Sequence, residues 1–278
     1  MGPGDLPSPL RITAHVLFNR VEGGLNRRLG LALARWPTSE AGQFVMLSPG
    51  PLGPVWRSDP LLPRPMAVYR ERRAGAGAEL EILYKLHGRG TQLIASARVG
   101  DALALVGPLG RGFALAPPGA PAILVGGGTG IASLYALARE LAARGPVQVL
   151  FGARSADDLM GVSDFEGLPV ELACATEDGS RGARGLATAL LEQRLARATP
   201  GDASPWVYAC GPTPMMRRCA ALCAERGVRC AVSLEQPMAC GFGVCLGCAA
   251  PLAGGGVALV CRDGPVFDAA RVDWEGLR

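Results

Sequence analysis

A chain of 278 residues with 49% hydrophobic content is long enough for one to three compact units and apolar enough to bury their cores. Lys and Arg total 28 against 24 Asp and Glu, a net charge of +4 with no dense basic stretch interleaved with aromatics, which argues against nucleic-acid binding. Residues 1–18 lack the basic start, apolar core and small-residue cleavage site of a secretion signal, so the nine cysteines point to thiols and metal ligands in a reducing cytoplasm rather than to disulfides.

From Arg11 to about Leu115, short apolar runs alternate with Gly, Pro and charged turns: Phe44-Val45-Met46-Leu47, Met66-Ala67-Val68-Tyr69, Leu80-Glu81-Ile82-Leu83-Tyr84-Lys85 and Ala102-Leu103-Ala104-Leu105-Val106. This pattern predicts an antiparallel β-barrel over residues 1–116. Two segments in it suit a flavin nucleotide. Arg64-Pro65-Met66-Ala67 places an arginine at a strand start, where it can pair with a pyrophosphate. Lys85-Leu86-His87-Gly88-Arg89-Gly90-Thr91 ends a strand before a helix expected to start at Thr91, and a Gly-Thr turn there offers amides and a hydroxyl to phosphate. Taken singly, Arg64 also reads as a solvated strand end and Gly88 to Thr91 as a helix cap.

Pro117-Pro118-Gly119 marks a boundary. Residues 113–138 form the longest uncharged run, but Pro117, Pro118, Pro121 and clustered glycines interrupt it, so it reads as loop, strand, turn and helix rather than a membrane span. The strand Ala122-Ile123-Leu124-Val125, helical character over residues 131–144 and the strand Val147-Gln148-Val149-Leu150-Phe151 begin a βαβ rhythm. It continues through Val170-Glu171-Leu172-Ala173, a helix near residues 186–195, the strand Trp206-Val207-Tyr208-Ala209 and a helix over 214–225. A parallel sheet covered by helices is therefore predicted for residues 117–228. Between the first strand and helix lies Gly126-Gly127-Gly128-Thr129-Gly130. It departs from G-x-G-x-x-G, since Ile131 takes the last glycine's place, yet its amides and helix dipole suit a pyrophosphate. In a chain with 39 glycines such a cluster is weak alone. A second strand-end turn, Cys210-Gly211-Pro212-Thr213-Pro214, adds a second ligand-facing position.

Residues 229–278 are expected to form a small module, because Cys240, Cys245, Cys248 and Cys261 follow the pattern C-x4-C-x2-C-x12-C. Three thiolates from one tight loop and a fourth from farther on is the spacing of a plant-type 2Fe-2S cluster. A structural zinc site more often shows two C-x2-C pairs, and only one is present. Cys219 and Cys223, four apart on one helix, read as small buried hydrophobes, as do Cys174 and Cys230. Arg154 and Ser155 could hold a 2′-phosphate that Asp157 and Asp158 would repel, which favours NAD and leaves NADP open. Arg181 and Arg184 read as groove-lining or solvated.

These strings together resemble the ferredoxin-reductase superfamily, most closely the electron-transfer subunits of class B dihydroorotate dehydrogenases, over nearly the whole chain. Gly42-Gln43-Phe44-Val45-Met46 resembles the family's early barrel strand, and Arg64-Pro65-Met66-Ala67-Val68 its flavin motif R-P-x-S-I. Leu83-Tyr84-Lys85 and Gly90-Thr91 fall where the family touches FAD. Gly127, Gly128, Thr129 and Gly130 match its nicotinamide-side turn, Thr176-Glu177-Asp178-Gly179-Ser180 its E-D-G-S segment, and the segment holding Cys210, Gly211 and Pro212 its Y-A-C-G-P-x-P-M-M. Glu235-Gln236-Pro237-Met238-Ala239-Cys240-Gly241 and Cys261-Arg262-Asp263-Gly264-Pro265-Val266-Phe267 are the most specific matches. Two positions depart. Ala67 stands where a Ser or Thr hydroxyl is usual near the flavin N5, and Ala132-Ser133 replaces a small-Pro pair at the helix start.

The resemblance implies an electron relay in pyrimidine biosynthesis: from the FMN of a dihydroorotate dehydrogenase catalytic subunit, through 2Fe-2S and FAD, to NAD, in a cytoplasmic heterotetramer. With only His15 and His87 and no Ser-His-Asp set, the chain offers no base for C–H cleavage, so the oxidising site is expected on the partner. A ferredoxin-linked NAD(P) oxidoreductase subunit is the nearer alternative, and a zinc-stabilised binding protein without redox activity the farther one.

Overall fold

The computed structural model describes residues 9–50, 62–197 and 203–277, so part of the N-terminal stretch read for a signal lies outside the described residues. Its first unit is a seven-stranded antiparallel sheet made of β1 (Leu10–Gly23), β2 (Asn26–Leu33), β3 (Phe44–Ser48), β4 (Arg64–Ala67), β5 (Arg70–Ala74), β6 (Gly77–Lys85) and β7 (Ala102–Leu109). The order is β4-β3-β7-β1-β2-β6-β5. The two edge strands β4 and β5 are consecutive in the chain and only Val68 and Tyr69 separate them, so the sheet curls until its edges meet. At that corner the Tyr69 N–H donates to the Glu81 carbonyl of β6 at 3.0 Å. Inside the curl, alternate residues such as Leu29, Leu31, Val45, Leu47, Leu80, Ile82 and Tyr84 form one core, as the period of two requires. Helix α1 (Gly88–Ala95) follows β6 and starts at Gly88, earlier than the Thr91 start expected, because Gly88 takes a left-handed φ of +73° that turns the chain straight into the helix.

The second unit is a parallel sheet. Its strands are β8 (Ala122–Gly127), β9 (Val147–Ala153), β10 (Glu171–Thr176), β11 (Ala183–Arg184), β12 (Trp206–Cys210) and β13 (Arg229–Ser233). The order is β11-β10-β9-β8-β12-β13, with a C-terminal strand added at the far edge. The helices are α2 (Tyr135–Ala142), α3 (Val162–Glu166), α4 (Ala187–Ala196) and α5 (Thr213–Ala224). Leu124, Val149 and Phe151 point to the α2 face, while Ile123, Val125 and Leu150 point to α4 and α5. The helix expected over 131–144 opens instead as a 3-10 turn over Gly128–Ser133 before α2 begins.

The C-terminal part holds the hairpin β14 (Ala249–Pro251) and β15 (Val257–Leu259), the turn α6 (Val260–Asp263) and β16 (Val266–Asp268). β16 pairs antiparallel with β13, and β13 is itself a parallel neighbour of β12, so the expected boundary at 228/229 falls inside the parallel sheet. Cys219, Cys223 and Cys230 lie buried in the core that joins this sheet to the C-terminal part.

Antiparallel strands commonly leave one face to water; β3 and β6 do not. Phe44 and Met46 leave the barrel interior to join the core beneath the C-terminal part, and Leu83 of β6 joins the core of the parallel sheet. Next to Leu83, a charged network ties the first two units together. Arg28 of β2, 3% exposed, donates to Glu22 (2.5 and 2.9 Å), Glu81 (2.9 Å) and, across the boundary, Asp164 of α3 (2.5 Å). Arg70 reaches the other Asp164 oxygen at 2.7 Å, and the Tyr69 hydroxyl donates to Asp164 at 2.7 Å. Burial pushes the Asp164 carboxyl up, but the hydrogen bonds from Arg28 and Tyr69 and the two guanidinium charges outweigh it and hold it below the usual carboxylate range.

Removing one member leaves buried charge uncompensated. Asp164→Ala is expected to cost about 3 kcal/mol, read as a fall in the urea midpoint of unfolding. Because the folded-state pKa is depressed, the Asp164 contribution is whole above the unfolded carboxylate value of about 4 and fades as pH falls below it. The gap between wild type and variant should therefore narrow in acid, and a gap constant down to the acid limit would contradict the assignment.

Candidate functional site

The strand order reverses between β8 and β12, with β9 and β10 on one side and β13 on the other. Open parallel sheets receive ligands at this point, outside the carboxyl ends of the strands. Register sets Gly126, Cys210 and Ser233 abreast there, with Gly127 opposite Gly152. The turn after β8 and the turn after β12 pack directly on each other. A Cβ on Gly130 would strike the Cys210 carbonyl, one on Gly127 would sit 2.6 Å from Met215 Sδ and 3.0 Å from Pro212 Cδ, and one on Gly211 would sit 3.0 Å from Gly127 Cα. Gly128, at φ +53°, has open space where its Cβ would stand, and half-buried Thr129 follows it.

Beside these turns lies a cleft of about 460 Å³, within the range of small-molecule sites. Gly127, Gly128, Pro212 and Met215 line it together with Gly152, Ala153, Arg154, Glu177 and Thr188, and Lys85 enters from the barrel. Its bare peptide groups and the start of α5 suit a pyrophosphate. Asp158 bridges Lys85 at 2.5 Å and Arg154 at 3.3 Å, and the Lys85 hydrogen bond is the chief reason its carboxyl lies below the usual range. Arg181 is engaged with Glu166 at 2.9 Å, and Arg184 stands exposed on β11. Cys210 is buried, and burial, with the Glu235 carboxylate adding to it, pushes its thiol up to about 12, so it stays protonated at neutral pH. Ser133 and Ser233, which sequence reasoning did not single out, hydrogen-bond that thiol.

In the barrel, the two motifs that the chain separates are brought together. Arg64 stands where a side chain on Gly90 would be, since a Cβ there would collide with the guanidinium. Only glycine admits that approach. Arg64 also donates to the Leu62 carbonyl at 2.7 Å. Thr91 is buried, and its hydroxyl is used within the turn, accepting from the His87 N–H at 2.7 Å and donating to the Gly88 carbonyl at 3.2 Å. What the turn turns outward are the first amides of α1, which have no acceptor within the helix. Pro65 is exposed, Met66 is buried, and half-buried Ala67 pairs with Phe44. The Tyr84 ring lies in the barrel core with its hydroxyl on Asn19 at 3.0 Å, while Leu83 and Lys85 point to the parallel-sheet unit.

The four cysteines occupy the third location as two pairs. Cys248 and Cys261 are buried with their sulfurs 3.2 Å apart, Cys240 is half-buried and Cys245 exposed. Burial pushes the Cys240 thiol up, but N–H groups of Cys245, Phe242 and Val244 and the Cys245 side chain bring it down to about 6. The loop thus aims amides at a thiolate, as a chain holding an anionic cluster does. Burial and then the neighbouring Cys248 thiol push Cys261 up to about 12. Gly241 and Gly243 take φ of +84° and +86°, and a Cβ on Gly241 would lie 2.5 Å from Met46 Cγ, so the loop lies flat against the barrel. A binuclear cluster takes two thiolates at each iron. The loop offers two pairs, Cys248 with Cys261 and Cys240 with Cys245, an all-sulfur donor set that fits it. Among the described residues no three His, Cys, Asp or Glu side chains stand close enough to hold one metal ion, so the four sulfurs lie as two pairs and not as one closed cage. No helix among them is long and apolar enough to cross a membrane.

Residues 235–273 match the iron-sulfur cluster binding domain of dihydroorotate dehydrogenase B, and residues 124–221 match the oxidoreductase NAD-binding domain. The chain is similar to the dihydroorotate dehydrogenase B (NAD(+)) electron transfer subunit of Desulforamulus reducens, at 35% identity over 84% of this chain and 87% of the relative. It is also similar to that of Bacillus caldolyticus, at 38% identity over 84% and 86%. Among solved structures, a chain from a study of an NADH-dependent reduced ferredoxin-NADP oxidoreductase superposes with a TM-score of 0.80 and 28% identity, covering 100% of this chain and 93% of that one. A ferredoxin reductase of carbazole 1,9a-dioxygenase shares the fold, at TM-score 0.66 and 21% identity over 79% of this chain and 67% of that one. With three thiols on one loop and a fourth on the turn α6 beside it, a cleft at the reversal point of a parallel sheet, and identity above 30% along most of its length, this chain belongs to the family of dihydroorotate dehydrogenase B electron transfer subunits.

Proposed function

We propose that the chain carries reducing equivalents from the FMN of a dihydroorotate dehydrogenase catalytic subunit to NAD, as the electron-transfer half of a cytoplasmic heterotetramer. The observation that carries this reading is the four-cysteine loop: its thiols pair two by two, and it rests on the barrel through Gly241 and Met46. Cys240, Cys245, Cys248 and Cys261 would hold a 2Fe-2S cluster. Arg64 and the amides at Gly90 and Thr91 would hold the FAD phosphates, while the turns at Gly127, Gly128, Thr129 and Gly130 and at Cys210, Gly211 and Pro212 would receive the dinucleotide. When bound, the flavin exchanges single electrons with the cluster and a hydride with the nicotinamide, and the protein sets distance, exposure and potential.

The chain's own residues divide the remaining work. The amides around Cys240 favour thiolate over thiol, which favours metal loading. Cys210, held protonated and hydrogen-bonded to Ser133 and Ser233, fills the sheet end without offering a nucleophile. Ala67 supplies no hydroxyl at its position, so a hydrogen bond to a flavin nitrogen there comes from backbone or water. Beside the cysteines, Phe242, Val244 and Leu246 are exposed by 52%, 73% and 63%, an apolar patch that suits docking of the catalytic subunit close to the cluster.

Two variants test the cofactor assignments. Cys245→Ser should lose the visible absorbance of the cluster and its iron while retaining FAD, and an unchanged visible spectrum would remove Cys245 as a ligand. Gly90→Ala should displace Arg64 and weaken FAD retention by a factor of about ten, the loss of one charge-assisted contact. Full flavin occupancy after gel filtration of that variant would remove Arg64 from the flavin site. The function itself is tested with the chain co-purified with its catalytic subunit. Dihydroorotate-dependent NAD reduction is expected in the wild type and lost in Cys245→Ser, with NADH oxidation by artificial acceptors retained in both. Acceptor activity without coupled turnover in the wild type would keep a flavoprotein and assign it another partner.

A further inference from the structure

Lys85, the chain's single lysine, is the last residue of β6 in the barrel, yet it stands in the wall of the cleft at the parallel-sheet ends. The alternation of β6 sends it there. Tyr84 turns into the barrel and bonds Asn19, whereas Leu83 and Lys85 share the side that faces the second unit. Its ammonium sits 2.5 Å from one oxygen of Asp158, whose other oxygen lies 3.3 Å from Arg154 Nε. One carboxylate therefore bridges two cations supplied by two different units, and all three residues line the same cleft. The backbone beneath Asp158 is fixed to the barrel: Asn26 Nδ2 donates to the carbonyls of Asp157 and Asp158 at 3.2 Å each, and a Cβ on Gly23 would lie 2.8 Å from the Asp157 carbonyl oxygen.

This arrangement is an anion site filled by the protein's own anion. Gly128 lines the same cleft with open space where its Cβ would stand, whereas Met215 and Pro212 fill that position at Gly127 and Ala187 fills it at Gly152. A phosphate oxygen makes the same charge-assisted N–H···O contacts with an ammonium and a guanidinium as a carboxylate oxygen does, with more charge. The Asp158 bridge is partly solvated, Lys85 at 30% and Arg154 at 72% side-chain exposure, so exchanging it costs little. We infer that Lys85 and Arg154 form a phosphate subsite of the dinucleotide cleft, contributed jointly by the barrel and the parallel-sheet unit, which Asp158 occupies in the free chain and surrenders on binding. The inference rests on the reading of this cleft as the NAD(H) site. It moves Lys85 from the flavin to the nucleotide, and it makes nucleotide binding bridge the two units directly.

The test uses the FAD-loaded, cluster-containing chain and calorimetric dissociation constants for NADH, for ADP-ribose, which carries the pyrophosphate alone, and for 2′-AMP, which carries the ribose phosphate alone. Lys85→Met should weaken NADH and ADP-ribose by about tenfold where the subsite takes the pyrophosphate, or 2′-AMP alone where it takes a ribose phosphate, with FAD per chain unchanged, and Lys85→Arg should restore most of the affinity. Asp158→Asn should tighten the same ligands by about three- to tenfold, since the internal competitor is gone. Loss of FAD from Lys85→Met with the nucleotide constants unchanged would return Lys85 to the flavin and overturn the inference. Weaker binding in Asp158→Asn would overturn it too, by making Asp158 a support of the site and not its competitor. A wild type that binds no NADH would instead remove the parent reading of the cleft, and unchanged constants in all variants of a wild type that does bind would remove the subsite alone.

Discussion

Two strands of the barrel have no face left for water, and the rest of the molecule is arranged around that fact. β6 buries Leu80, Ile82 and Tyr84 inside the curl while Leu83 and Lys85 meet the parallel-sheet unit, and β3 divides in the same way between Val45 and Leu47 inside and Phe44 and Met46 outside. The outer side of β6 touches the unit with the nucleotide cleft, and that of β3 touches the cysteine loop. Three sites that the chain spreads from Arg64 to Cys261 are thus fastened to one small barrel.

The two contacts differ in chemistry. The β3 side is apolar and continuous, one core running from Phe44, Met46 and Leu109 through Val232 to Cys248 and Cys261, so the cysteine loop cannot shift without opening a hydrophobic surface. The β6 side is ionic, with Asp164 accepting from Arg28, Arg70 and Tyr69 and with Arg70 lying 4.7 Å from the Tyr135 ring centre. Ionic contacts are directional, and removal of a single partner is costly while the pair itself adds little net stability. Such a boundary fixes orientation more than it adds to stability, which suits two units whose bound groups must face one another.

Much of this was legible in the residues. The barrel and the βαβ rhythm followed from period-two runs and their Gly-Pro punctuation, and the cysteine spacing marked a distinct C-terminal chemistry. The unbroken apolar run Phe44-Val45-Met46-Leu47 carried a further signal, since an antiparallel strand without polar alternation is covered on both faces. What stayed hidden depends on partners distant in the chain. Nothing local to Arg28 announces that Asp164, 136 residues on, will meet it in a buried site. The destination of Lys85 depends on which side of β6 the second unit packs. The Thr91 hydroxyl reads from sequence as a phosphate donor, but its own turn uses it at His87 and Gly88. The expected start of a C-terminal module at 229 could not take account of β13, which has the composition of any short buried strand and becomes part of the parallel sheet only through its pairing with β12.

If the ionic boundary sets the geometry between cleft and barrel, loosening it without emptying either site must slow transfer between them. The direct measurement is anaerobic stopped-flow reduction of the bound flavin by saturating NADH in wild type and Asp164→Asn, at equal FAD and iron content. The account predicts flavin reduction slower by about ten- to a hundredfold in the variant with the NADH dissociation constant nearly unchanged, the consequence of a small misplacement of reacting groups. Flavin reduction at the wild-type rate would contradict it, and would mean that the two units find their working orientation without the Arg28–Asp164 contact.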